Sequence, residues 1–336
     1  MKKFINDPNN FVNEVLEGIV QCHSEQLRFV SNDKKGIVRA DVPIEGKVGI
    51  ATGGGAGHLP LFLGYVGEGL ADGVSVGNVF TSPSADTMYE VCKEINSGNG
   101  ILLLYGNYFG DSMNFDLTQE MLEEDGIEVR TIRISDDVAS APRKTWKKRR
   151  GVAGIYYAYR IAGAAAENGY NLDEVTRITN KVAENIATMG VALAPCTIPE
   201  SNKSTFEISE EDMEIGMGIH GEPGVERKKL LRAFDIVKEV LDYLRSDLEL
   251  KSGDEIAILI NGAGATPLEE LYIIAKEVHN NLSNKGIDIF NTRVGEYATS
   301  LEMSGMSISI LKLNDEMKEL LNTDANSPFI SEKKVN

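Results

Sequence analysis

Two of the four histidines in the 336 residues, His58 in "GGGAGHLP" and His220 in "GMGIHGEPG", stand inside turns rich in glycine and proline. Such turns rarely need an imidazole for structure, whereas a neutral imidazole can serve as a base, a hydrogen-bond partner, a metal ligand or a nucleophile. Metal ligation is the weakest of these, because no i,i+4 histidine pair or neighbouring cysteine ligand accompanies either residue. His23 and His279 fall within helical patterns and read as surface or packing residues. A carboxylate joins the pair: Asp111 in "LLLYGNYFGDSMNF" follows an apolar strand through a glycine turn and precedes a helix. Ligands of open α/β sheets gather beyond the carboxyl ends of strands, although a helix-capping aspartate has the same local pattern. The capping reading applies equally to Asp136 and Asp137 in "ISDDVASAP".

The elements that must position these groups alternate along the chain. Short apolar runs ended by Gly, Asn or Asp predict buried strands at 47–52, 100–107, 129–135, 255–261 and 307–313. Apolar residues at three- and four-residue spacing predict helices at 9–23, 113–126, 172–190 and 267–286. Pro60 is placed to open a further helix behind the glycine turn. The alternation predicts an α/β or α+β class with at least two sheets. The polar stretch 199–214 reads as a crossing between domains or a surface loop, and the tail from Asn322 onward as loosely ordered.

Composition narrows the partners. A net charge of −17 argues against nucleic acid and anionic membranes, which bind through excess Lys and Arg. No apolar run approaches a membrane span and no apolar signal core follows "MKK", so the expected location is the cytoplasm. The scattered Cys22, Cys92 and Cys196 read as small core residues. One segment runs against the overall charge: "RKTWKKRRG", 143–151, places six basic residues around the single tryptophan. It reads as a solvated turn, with a docking patch for an anionic group or acidic partner as the alternative. Nucleotide fingerprints fail: G-x-G-x-x-G counted from Gly53 meets His58 where glycine is required, and no Walker-type cradle occurs. The glycine turn therefore reads as bare backbone for close approach to a small ligand.

Taken together and in order, "MKKFINDPNNFVNEVLEG", "GGGAGHLP", "GNVFTSPSA", "GNYFGDSMNF", "RRGVAG", "GVALAPCTIP", "MGIHGEPG", "NGAGATPLEELY" and "GEYATSLEMSGMSISILKL" resemble the dihydroxyacetone kinase family, in its ketone-binding subunit, over nearly the whole chain. The resemblance implies a two-domain α/β subunit, usually a homodimer, divided here into 1–190 with the glycine loop and general base and 191–336 with the second loop histidine. It implies that His220 holds a short-chain ketose as a covalent hemiaminal. By the same resemblance His58 hydrogen-bonds the substrate and assists proton transfer, and Asp111 takes the proton of the attacking hydroxyl. Gly55, Ala56 and Gly57 would give backbone contacts. No cofactor is expected on this chain: ADP or ATP with magnesium belongs to a nucleotide-binding partner subunit, which in some bacterial systems a phosphotransferase-type subunit recharges. No fused second domain is evident after residue 313, which disfavours a self-contained kinase. Where the family often has serine, glutamate and lysine, this chain has Ala56, Leu59 and Gly106. The forms "GHLP" and "YGNY" resemble a branch linked to four-carbon ketoses such as erythrulose, and Gly106 leaves room for one more hydroxymethyl group. Some relatives sense the ketone as transcriptional coactivators; Asp111 favours catalysis, since a sensor needs no base.

Overall fold

The computed structural model describes residues 2–334. The first sheet holds β1 (Leu27–Phe29), β2 (Gly36–Arg39), β3 (Gly49–Ala56), β4 (Gly73–Val79), β5 (Ile101–Gly106) and β6 (Val129–Ile134), in the order β1-β2-β4-β3-β5-β6. Strands β3 to β6 run parallel, and β1 and β2 add an antiparallel edge. Around it lie α1 (Phe11–Cys22), α2 (Ala85–Ile95), α3 (Phe109–Glu124), α4 (Ile155–Glu167) and α5 (Leu172–Glu184). Side chains of β5 show why the strand is apolar throughout. Ile101, Leu103 and Tyr105 pack with α2 and α3, whereas Leu102 and Leu104 join the core with α4 and α5. The strand order reverses at β3, with β4 on one side and β5 on the other. A crevice therefore opens beyond the carboxyl ends of β3 and β5.

The second sheet starts with β7 (Ile186–Ala194), continues past a small hairpin, β8 (Thr197–Ile198) and β9 (Lys203–Ser204), and takes up β10 (Asp212–Ile215), β11 (Glu226–Lys229), β12 (Glu255–Gly262), β13 (Asp288–Gly295) and β14 (Ser304–Lys312). Its order is β11-β10-β7-β14-β12-β13, antiparallel except for β12 and β13. Helices α6 (Ala233–Asp247) and α7 (Leu268–Ser283) pack on one face. Toward the other face, Ala257, Leu259 and Leu311 enter the same core as α4. The short α8 (Asp315–Leu321) and the pair β15 (Ala325–Asn326) and β16 (Ser331–Glu332) close the chain.

All five expected strands form, and the class is α/β. Some readings need correction. The helix expected over 172–190 stops at Glu184, because the following "IATMG" pairs with β14 as β7. The stretch 199–214 does not cross between the sheets, and its surface-loop alternative holds: residues 200–204 and most of those up to Glu211 are exposed before the chain enters β10 beside β7. Pro60 opens no helix, lying instead in a turn that leads to a single short 3₁₀ turn at Leu63–Tyr65. The tail is tied down as far as it is described: buried Arg160 on α4 pairs with Glu332 and donates to the carbonyls of Leu321 and Thr323. The last two residues of that tail lie outside the described range. Cys92 and Cys196 are buried as expected, but Cys22 is exposed.

Candidate active site

Strand β3 runs directly into the glycine turn. A Cβ at Gly55 would lie 2.7 Å from the Thr81 backbone nitrogen, and Gly57 has φ +100 with a Cβ position 2.8 Å from the Phe80 ring. Only glycine fits either place. The turn is pinned to the segment before β14: Leu301 N–H donates to Gly57 O at 2.7 Å and the Thr299 hydroxyl to Leu59 O at 3.0 Å. The site is thus built where the two sheets meet. Phe80 and Leu301, which flank the turn, both hold left-handed backbone conformations, φ +56 and +49. Bulky residues seldom do so unless their surroundings enforce it.

His58 is only 1% exposed, and its Nδ1 lies 2.7 Å from Thr299 O. A carbonyl accepts and cannot donate, so Nδ1 carries the proton and Nε2 presents its lone pair. That Nε2 is buried without a partner. Burial, reinforced by the charge of neighbouring His220, pushes the imidazole down to about 3. His58 is a neutral acceptor.

His220 comes from the loop between β10 and β11. Its ring lies 4.9 Å from that of His58, centroid to centroid, and packs edge-on against Tyr108 at 4.8 Å and Phe80 at 5.4 Å. Glu222 grips it twice: His220 Nδ1 donates to Oε1 at 3.0 Å and its backbone N–H to Oε2 at 2.9 Å. Burial alone would raise the Glu222 carboxyl, but the His220 hydrogen bond and the charges of His220 and Arg150 hold it at about 2. Arg150 stands 3.8 Å from Glu222 and 2.7 Å from Asp137. Asp137 itself is pushed up to about 6 by burial despite Arg150. With Nδ1 committed to a carboxylate, the unbonded ring nitrogen of His220 is Nε2.

Asp111 sits in the first turn of α3, two residues inside it, so it is not the capping residue; that position belongs to Tyr108. The side chain is 7% exposed, and its Oδ1 has no partner. Burial lifts the carboxyl to about 6, although a Ser82 hydrogen bond and the charge of His220 oppose the rise. The Tyr108 hydroxyl nearby is likewise buried and unpartnered. Asp136 does serve the backbone, accepting from Val152 and Gly154 N–H at 2.8 Å just ahead of α4.

The structure thus brings His58, His220 and Asp111 together and leaves His23 and His279 outside, the latter bonded to Thr292. Gly55, Ala56 and Gly57 form the approach to His58. Gly106 lies beside Tyr108, with a Cβ position 3.4 Å from Gly151 O and 3.6 Å from Tyr108 Cε2, so a single added Cβ would make ordinary contacts there. An apolar cavity of about 250 Å³ also borders the glycine turn, lined by Val12, Leu16 and Phe62, but neither His220 nor Asp111 lines it. Among the described residues no cluster of three or more His, Cys, Asp or Glu is placed to hold a metal ion. None of their helices is long and apolar enough to cross a membrane.

Sequence reading missed Glu222, Arg150, Phe80, Tyr108 and Thr299. Glu222 stands two residues from His220 in plain view, but Arg150 is hidden in a basic run that is only partly solvated. Arg149 is 1% exposed and makes a bidentate pair with Asp247 of α6, while Arg143, Lys144, Lys147 and Lys148 are exposed.

Residues 17–329 match the Dak1 domain. The chain belongs to the Dak1 family. It is 44% identical, over 98% of its length and 99% of the relative, to the dihydroxyacetone-binding subunit of PTS-dependent dihydroxyacetone kinase 2 of Listeria innocua. It is also 40% identical to the D-erythrulose kinase of Mycolicibacterium smegmatis, covering 98% of this chain but 56% of that one. Among solved structures, the dihydroxyacetone kinase operon co-activator Dha-DhaQ superimposes with a TM-score of 0.88 at 31% identity, over 94% of this chain and 97% of the other. Dak1 relatives therefore include kinases with a ketose acceptor and a co-activator, and the fold is the same in both.

Proposed function

We propose that this Dak1 chain is the ketose-binding subunit of a kinase, holding dihydroxyacetone or a tetrulose through His220 while a partner subunit carrying ADP or ATP with magnesium phosphorylates a terminal hydroxyl. The observation that carries the reading is the convergence of three differently prepared groups: the free Nε2 of His220, the unpartnered Nε2 of His58 and the unpartnered Oδ1 of Asp111.

The chemistry follows from their states. The lone pair of His220 Nε2 adds to the ketone carbon; the carbonyl π electrons move to oxygen, which takes up a proton from water. The ring gains positive charge as the N–C bond forms; Glu222, ionised and bonded to Nδ1, balances that charge, and release of the Nδ1 proton to water leaves a neutral hemiaminal. A polyol has no carbonyl to trap, so glycerol is rejected. His58, a neutral acceptor, takes a hydrogen bond from a hydroxyl of the bound ketose. Asp111 is largely ionised at neutral pH yet basic enough to accept a proton, and it takes the one lost when the terminal hydroxyl oxygen bonds to phosphorus.

A four-carbon ketose as an alternative substrate is supported by the 40% identity to the D-erythrulose kinase of Mycolicibacterium smegmatis. The co-activator reading is weakened by Asp111: an unpaired buried carboxylate costs stability, and a sensor has no use for a base. The test is product formation from dihydroxyacetone and erythrulose with the remaining subunits of the Listeria innocua enzyme. Product that disappears in both His220→Ala and Asp111→Asn is the expected result; undiminished product in His220→Ala overturns the reading.

A further inference from the structure

The loop that carries His220 is poorly suited to hold a side chain still by itself. Residues 216–224 include four glycines, and glycine backbone is the costliest to fix. Arg150, from the segment between β6 and α4, reaches into this loop. Its Nη2 donates to Gly216 O at 3.4 Å, and its Nη1 stands 3.8 Å from the Glu222 carboxylate that bonds His220. Among the described residues, His220 and Arg150 are the only cationic side chains paired with Glu222.

Arg150 is itself fixed. Its Nε donates to Asp137 Oδ2 at 2.8 Å, its Nη2 lies 2.7 Å from the same oxygen, and its backbone N–H donates to Ser140 Oγ at 3.0 Å. The Asp137 N–H returns a bond to Arg150 O at 3.1 Å. The residues on either side of Asp137 are tied to β7 of the second sheet: Thr188 N–H donates to Asp136 O at 2.7 Å, and Val138 N–H to Thr188 O at 3.0 Å. The guanidinium therefore stands on the junction of the two sheets. Gly218 shows how tightly the charges close over the loop, since a Cβ there would lie 2.6 Å from Arg150 Nη1 and nearer still to Glu222 Oε2.

We propose that Arg150, clasped by Asp137, is a positioning residue for ketose capture: it holds Glu222, and through Glu222 the His220 ring, from across the sheet junction. The inference rests on the function proposed above. At 3.8 Å Arg150 makes no hydrogen bond to Glu222, so the hold is electrostatic, and in a partly buried site it is weakly screened. Side chains that react are placed accurately only when the groups behind them are also fixed. Capture depends on this placement; transfer, once the N–C bond tethers the ketose, depends on Asp111 and the phosphoryl donor.

The experiment compares the full-length wild type with Arg150→Gln, Arg150→Lys and Gly218→Ala. The last removes no polar group and displaces only the ends of two flexible side chains, so it tests the same clasp by another route. Adduct affinity is titrated by ¹³C NMR with carbonyl-labelled dihydroxyacetone. KM and kcat are measured with the remaining subunits of the Listeria innocua enzyme, and the His220 Nδ1 proton is followed in ¹H–¹⁵N spectra without ketose. Arg150→Gln and Gly218→Ala are expected to weaken the adduct about tenfold, the loss seen when the support behind a ligating side chain is removed. KM should rise with it while kcat stays within about threefold, and the Nδ1 proton should move upfield as its bond to Glu222 loosens. Arg150→Lys, which keeps the charge, should recover part of the affinity. Affinity and Nδ1 shift unchanged in both Arg150→Gln and Gly218→Ala overturn the positioning role, as does a loss confined to kcat. If Arg150→Gln does not fold, Gly218→Ala decides on the same criteria. A wild-type chain that forms no adduct overturns the ketose-binding function itself, and the positioning role with it.

Discussion

Glu222 Oε1 accepts a hydrogen bond from His220 Nδ1 at 3.0 Å, while its second oxygen takes the backbone N–H of the same histidine. One carboxylate therefore sets the position, tautomer and charge balance of the proposed nucleophile. Glu222→Gln keeps an acceptor but removes the charge. We expect its affinity for dihydroxyacetone to fall roughly 10- to 100-fold, the worth of a charge-assisted hydrogen bond. Titration of the adduct by NMR measures this, and equal affinities in the two proteins would remove Glu222 from the mechanism.

Asp111 separates trapping from transfer. Asp111→Asn should form the adduct normally and lose about 10²- to 10⁴-fold in phosphorylation, the usual contribution of a general base. A parallel loss of the adduct would assign Asp111 to ketose binding.

The same substitution should stabilise the protein. The folded carboxyl is lifted from 3.8 to about 6, so its contribution is favourable below pH 4 and is lost as the pH rises through 6. At pH 8 the buried carboxylate costs roughly 3 kcal/mol by linkage. Asp111→Asn is expected to melt a few degrees above the wild type at pH 8 and to show no such advantage at pH 4. A variant less stable than the wild type at pH 8 would contradict this.

Acid should silence transfer through Asp111 and leave His58 untouched. Below pH 6 protonation removes the base, so kcat should fall about tenfold per pH unit. His58, held neutral down to about 3, should show no titration between pH 5 and 9 in ¹⁵N spectra, with Nδ1 protonated throughout. A His58 titration near pH 6.5 would mean that the ring is solvated.

Gly106 sets the room beside Tyr108. Because a Cβ there meets its neighbours at 3.4 Å or more, Gly106→Ala should fold with little loss of stability. Gly106→Lys should lower the ratio of erythrulose to dihydroxyacetone turnover by filling the space that the larger ketose needs. An unchanged ratio would detach substrate choice from this position.

How far the sequence carried the fold depended on whether a segment advertises its surroundings. The strands of the first sheet were legible because burial on both faces demands continuous apolar runs, and α1, α3 and α7 because each has a solvated face. Helix α4 was missed for the opposite reason. It is buried from Ile155 to Ala166, with Arg160 the only charged side chain among those residues, so no solvated face marks it in the sequence. The strand at Ile186 was read as more helix because a single residue, Asn185, separates it from α5. At the site, the two loop histidines and Asp111 stood out by residue type. Arg150 and Thr299 did not, because their roles arise from contacts between segments far apart in the chain: Arg150 reaches Glu222, and Thr299 supplies a backbone oxygen, which no side-chain pattern encodes.

The central claim is that His220 holds a ketone covalently. The most direct measurement is ¹³C NMR of carbonyl-labelled dihydroxyacetone mixed with the wild-type protein and with His220→Ala. We predict that the ketone signal moves to a tetrahedral carbon in the wild type and stays unchanged with His220→Ala. A free carbonyl signal persisting with the wild type at saturating protein would contradict the account.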